Sequence, residues 1–181
     1  AAPGRPARYA MAELINLHDP GLVFEPIHRI LFGCPSETLL SFAQNWFAGP
    51  GSPDGPAEVL RGARAKGFAD KAKPDECTVS VVGGTSAAAL RFPPSDRLAV
   101  DRIQPMVDAL AGLPGITVDY IHGTDALCAL TGPEATGLLL PPLPKSRFFN
   151  DIAKNGDYPR KTFSTGEAEG KRYYIEARRI R

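Results

Sequence analysis

LVFEPIHRILF at residues 22–32 is an apolar run with Glu25, His28 and Arg29 set into it. Its Phe, Ile, Leu and Val content suits an extended chain, and the run reads as a strand. Pro26 cannot donate to a ladder, so it favours an edge or a bulge at Glu25-Pro26. Just upstream, HDPG at 18–21 is a turn, and RYAMAELIN at 8–16 reads as another strand, mixed enough for burial on both faces. Residues 1–7 (AAPGRPA) show no periodicity and read as a linker.

Downstream the period changes. Leu39, Phe42 and Trp46, with Leu40, Ala43 and Phe47, recur at helical spacing over 38–47. Ser36 stands where an N-cap belongs, and Trp46 and Phe47 are expected in the core. Residues 57–67 read as a second, weaker amphipathic helix ending at Gly67, and the polar stretch 70–76 reads as exposed. CTVSVV at 77–82 and AAALRF at 87–92 flank Gly83-Gly84-Thr85-Ser86, the pattern of a hairpin. A phosphate-cradling loop after a strand would lead into a helix, and LRFPP at 90–94 makes a poor one.

The chain continues with a helix in which Ile103, Val107 and Leu110 share a face, capped by Asp96 and kinked or divided at Pro105. ITVDYI at 116–121 alternates as a strand, His122-Gly123 turns, and Thr124 caps a short helix over 125–130. Residues 138–140 form a short buried strand. Ser146 caps a helix over 147–154 that delivers the chain into GDYPRKTFSTG at 156–166, and KRYYIEARR at 171–179 ends as a strand. Strands and helices in this order, with mixed connections, predict one α+β domain over 8–181. Its expected architecture is a mixed sheet of about five to seven strands with helices packed on it.

Composition bounds the function. Net charge is +1, so no whole-molecule field draws the chain to nucleic acid or an anionic membrane. Residues 145–181 nevertheless hold ten Lys/Arg and five Asp/Glu, a net charge of +5. Cys34, Cys77 and Cys128 are isolated, so a disulfide framework or zinc site is not expected and the cysteines read as buried, inert thiols. No apolar run is long enough for a membrane span and no signal peptide is visible, so a cytoplasmic setting is expected.

The densest polar chemistry lies at 156–166, where Arg160 and Lys161 stand among hydroxyl residues between Gly156 and Gly166. Cationic heads, hydroxyls such as those of Thr162 and Ser164, and backbone N–H groups freed near Gly156 can converge on one phosphate or carboxylate. The plain alternative is a loop with solvated charges. Arg29 offers a bidentate fork for an anion, or a strand charge paired with Glu13 or Glu25. His28 and His122 are candidate proton-transfer residues, with Asp119 and Asp125 beside His122 at a strand end. His18-Asp19 is no metal pair, since adjacent turn residues rarely share a metal, and no metal is expected.

YAMAELINLHDPGLVFEPIHRILF at 9–32, DYIHG at 119–123, NGDYPRKTFSTG at 155–166 and the terminal RYYIEARRI occur in this order across most of the chain. Together they resemble the C-terminal half of the bacterial domain-of-unknown-function family 1015, which is similar to ParB-like and sulfiredoxin-like proteins and more loosely to free-serine kinases. The resemblance implies that an Asp-Gly-His/Asn-His motif lies upstream of residue 8, in an N-terminal half outside this sequence. It implies a C-terminal fragment, inactive alone, that supplies an anion-binding loop to a composite nucleotide or small-molecule kinase-like site. No cofactor is then expected in the fragment, with a nucleotide expected for the full-length protein. The expected partners are the N-terminal half and a small anion, with no membrane or nucleic acid. The alternative is a non-enzymatic interaction or dimerisation module, such as a homodimer.

Overall fold

A computed structural model of the 181-residue chain describes residues 15–49, 55–62, 77–84 and 87–166. The expected strands at 8–16 (except for its last two residues) and 171–179, the linker at 1–7, the polar stretch at 70–76 and Thr85-Ser86 lie outside these. In chain order the elements are strand β1 Phe24–Phe32, helix α1 Ser36–Ala48, and strands β2 Glu58–Arg61, β3 Thr78–Val82 and β4 Ala88–Arg91. There follow helix α2 Ala99–Ala111, strand β5 Thr117–His122, helix α3 Thr124–Leu130 and strand β6 Ala135–Leu139. A 3-10 turn, Lys145–Arg147, runs into helix α4 Phe148–Asn155, and strand β7 Phe163–Thr165 closes the series.

The fold is α+β, with a seven-stranded sheet in the order β2-β4-β3-β6-β1-β5 and β7 added on β1. Among the described residues every pairing is antiparallel, where the mixed connections had predicted a mixed sheet. Alternation along β1 sends Leu31 and Ile30 to opposite faces. Leu31 joins the main core with Leu39, Ala43 and Phe47 of α1 and Ile103, Met106, Val107 and Leu110 of α2. Ile30 meets Leu127 of α3 and Ala135 on the other side. Phe47 is buried and Trp46 half-buried, stacked 5.9 Å from Phe42 at the core's margin.

Strand β1 exchanges partners along its length. Residues 27–32 pair with β5 and 29–32 with β6, while Phe24, Glu25 and Pro26 pair with Thr165, Ser164 and Phe163 of β7. Ile27 donates its N–H to Thr162 O at 3.4 Å, so the nitrogen of the preceding Pro26 faces the opposite side, towards β5. There β5 has already ended at His122, so the proline breaks no ladder bond and needs no bulge.

Several local readings are overturned. Residues 58–61, expected as helix, are strand β2, because pairing with β4 and burial of Leu60 against Ala89 outweigh a weak helical period. Helix α2 runs unbroken through Pro105: the carbonyl of Asp101, left free by the missing N–H, accepts a bond from Arg97 Nη2 at 3.4 Å. No helix begins at its expected cap. Ser36 and Thr124 are first helical residues behind Pro35 and Gly123, and Leu98, whose N–H donates to Asp101 Oδ2, replaces Asp96. Ser146 lies inside the 3-10 turn. Asp96 instead pairs with Lys154 and accepts Arg147 Nη2 at its carbonyl, tying α4 to the approach to α2. Cys34 is buried but Cys128 is exposed, since α3 buries only Leu127.

Gly33, with φ of +69°, ends β1 so close to the start of β5 that a Cβ there would lie 2.1 Å from Gly115 O. Gly33→Ala is therefore expected to cost about 3 kcal/mol, a left-handed penalty plus overpacking. Gly62→Ala, at φ +61° with nothing within 4 Å, should cost about 1 kcal/mol. Urea unfolding of the two variants checks this, and equal costs would show that the approach to Gly115 contributes nothing.

Candidate functional site

Arg29 is fully buried, and all five of its N–H groups donate within the protein. Nε and Nη2 donate to Gln104 Oε1 at 3.1 and 2.9 Å. Nη1 donates to Ile27 O and, at 2.8 Å, to Lys161 O, and Nη2 reaches Arg160 O at 3.2 Å. The guanidinium lies 5.0 Å over the Tyr120 ring, and Gln104 passes a bond on to Asp108 at 2.8 Å. Burial lowers its pKa to about 10, with Tyr120 and Asp108 opposing, so the group stays charged at neutral pH. It does not pair with Glu25, and Glu13 lies outside the described residues. It is a clamp that ties β1 and α2 to the 160–161 turn, with no donor left for an anion.

The clamp shapes the loop. Lys161 sits at φ +59°, unusual for a non-glycine residue, with its carbonyl turned inward to Arg29. Thr162 is buried and donates its hydroxyl to Pro159 O at 2.7 Å, and Ser164 is buried in β7. Gly156 closes α4, donating its N–H to Ile152 O at 3.0 Å. These groups build the turn and do not converge on a cradle. The side chains of Arg160 and Lys161 are exposed, with no ion-pair partner among the described residues. A cleft of about 290 Å³ beside the loop is lined by Asp101, Asp108 and Asp157 with Arg97 and Tyr158. Tyr158 sits against Phe148 and Asp151, and burial, then Asp151, pushes its hydroxyl up to about 12.

Where β5 ends beside β1, the candidate histidines line one cleft. A cleft of about 240 Å³ is lined by Glu25, Pro26, His28, His122, Gly123 and Thr124. Cross-strand register places Ile27 opposite His122 and His28 opposite Ile121, so the two rings leave opposite faces, and the cleft curls around the end of β5 to meet both. His28 is 3% exposed, and its Nδ1 accepts the N–H of Leu140 at 3.1 Å. Burial first, then Arg29 and His122, depresses its pKa to about 4, so the ring is neutral and carries its proton on Nε2. His122 Nε2 lies 2.5 Å from Glu25 Oε2. Asp119 stands apart, exposed, and accepts the N–H of Tyr120 at 2.7 Å. The Glu25–His122 pair went unread in the sequence because it joins residues 97 apart, and only the β1–β5 register could have signalled it.

Among the described residues no helix is long and apolar enough to cross a membrane, and no cluster of three or more His, Cys, Asp or Glu side chains could hold a metal. The arrangement is thus an α+β domain in which β1, next to the edge strand β5, carries a buried arginine clamp and, near its start, a histidine–carboxylate cleft. Residues 1–110 match the model of the family described as protein of unknown function (DUF1015), and the chain belongs to that family. The match takes in β1, with His28 and Arg29, and most of α2, and stops short of β5 and the 156–166 loop. No curated protein and no solved structure matches the chain.

Arg29→Lys keeps the charge but loses the fork, leaving inward carbonyls unpaired. It is expected to cost about 3 kcal/mol in urea unfolding, and a loss below about 1 kcal/mol would argue against the clamp. The depressed pKa of His28 means that the unfolded chain binds the extra proton first. Its contribution is intact above the ordinary histidine value of 6.5 and is lost as pH falls towards about 4. Between pH 7 and 4 this amounts to about 3 kcal/mol, a decline that His28→Gln should remove from the stability–pH profile.

Proposed function

We propose that this domain holds a small phosphate-bearing ligand on the outer face of the 159–162 turn, with Arg160 and Lys161 supplying the charge and another protein surface supplying the second wall. The observation that carries this reading is the grip of Arg29 on the two carbonyls of those same residues. With the peptide oxygens held inward and the backbone fixed through Lys161, two cationic side chains project from a preformed turn. Part of the ordering cost of binding is therefore met before the ligand arrives. Pro159 adds stiffness, and the hydroxyl of Thr162 serves the turn. An open patch of this kind, without a cradle of backbone donors, is suited to one wall of a composite site. Under this reading the complete protein acts on a nucleotide or a small phosphorylated compound, in the manner of a small-molecule kinase.

Thermal unfolding with inorganic phosphate, ADP and ATP at millimolar concentration tests it. ATP in tenfold excess over its Kd should raise Tm by about 3 °C, and the Arg160→Ala/Lys161→Ala double variant should lose that rise without a lower Tm of its own. No rise, or the same rise in the double variant, would overturn the assignment. A Tm that instead climbs with protein concentration alone would favour a self-association module.

A further inference from the structure

The cleft where β5 ends beside β1 has features that the anion-binding reading leaves unused. Its two imidazoles are fixed in opposite roles. His28 Nδ1 is occupied by the Leu140 N–H, so Nε2 must carry the hydrogen and can only donate. That nitrogen has no protein partner among the described residues, is not sealed off in the interior, and belongs to a ring lining the cleft. In His122 the contact with the Glu25 carboxylate draws the hydrogen to Nε2, so Nδ1 presents a lone pair, again without a protein partner among the described residues. One wall donates and the other accepts, with a carboxylate behind the acceptor to stabilise the imidazolium when it forms. A fixed donor facing a fixed acceptor is an arrangement suited to passing a proton.

We propose that the Glu25–His28–His122 cleft is a proton-transfer site for a small neutral hydroxylated molecule. His122 Nδ1 takes the hydroxyl proton, and the His28 Nε2–H bonds to the oxygen that gives it up. The O–H bond breaks, an N–H bond forms on His122, and the electron pair stays on the oxygen. The positive charge gained by His122 lies against Glu25. A neutral ligand is specified because the Glu25 carboxylate repels an anion and His28, held uncharged, offers no compensating cation. A volume of about 240 Å³, open at the end of β5, admits a molecule of the size of a triol or a small sugar. Thr124 at the rim adds a hydroxyl to the wall.

Imidazole ¹⁵N spectra of the intact chain, recorded with glycerol as the probe, test this. Without glycerol, both His28 and His122 should appear as single Nε2–H tautomers at pH 7.5. Glycerol should shift the free nitrogens of both rings saturably, with a Kd in the millimolar to tens of millimolar range expected of so small a ligand. Glu25→Gln should return His122 to a tautomer mixture and weaken the glycerol response at least fivefold, while leaving His28 and the melting temperature in place. The Arg160→Ala/Lys161→Ala variant should keep the full response, which separates this site from the anion patch. The inference is overturned if the wild-type rings show no saturable shift. It also falls if Glu25→Gln changes neither the His122 tautomer nor the response.

Discussion

A buried guanidinium with no carboxylate against it among the described residues is the constraint around which this domain is arranged. Arg29 has given up water on every side, and such a burial is tolerated only when each donor finds a partner and the charge is balanced nearby. Carbonyls of β1 and of the 160–161 turn, the Gln104 amide of α2 and the Tyr120 face provide the partners. Asp108 supplies the balance one step out, through Gln104. Because these groups come from four separate stretches of chain, the charge works as a joint. The sheet, α2 and the loop beyond α4 must be in place together for any of them to be satisfied, and the left-handed backbone at Lys161 follows from that requirement.

The same strand organises the cleft by a different means. Its antiparallel partner β5 ends one residue short of Pro26, and this early stop opens the sheet just where Glu25 and His28 come into reach of His122. Hydrogen bonding then decides what each ring can do. The Leu140 amide occupies His28 Nδ1, and the Glu25 carboxylate occupies His122 Nε2. Neither of these hydrogen bonds involves the loop at 159–162, yet the two sites are coupled, because the Arg29 charge is one cause of the lowered pKa of His28.

Much of this architecture was legible in local text, and the limits of that legibility are physical. Strands β1 and β5, the 77–92 hairpin and helices α1 and α2 carry strong periods or turn residues, and each lies within a few residues of its expected place. Strand β2 was misread because four residues are too few to set a period, and what makes them a strand is β4, some thirty residues on. Helix caps were misplaced because tertiary partners claimed the capping side chains, as Lys154 claimed Asp96. The stretch 156–166, read as one polar, Gly-bounded loop, holds strand β7 at 163–165, and the inward turn of its carbonyls depends on Arg29, whose own text allowed an outward fork equally well. His28 and His122 were both singled out, but their hydrogen-bond partners, Leu140 and Glu25, are connected to them by no spacing rule.

Pro26 has a consequence for the company this domain can keep. An open segment of β-strand ordinarily invites another polypeptide to zip onto it, whether a neighbouring copy or a misfolded chain. At the end of β5 that invitation is withdrawn, because the position facing the gap has no amide hydrogen to offer. A ladder started from the β5 side would fail at its first rung, and the space beside Glu25 and the two histidines is guarded against strand exchange by one imino acid while staying open to solutes.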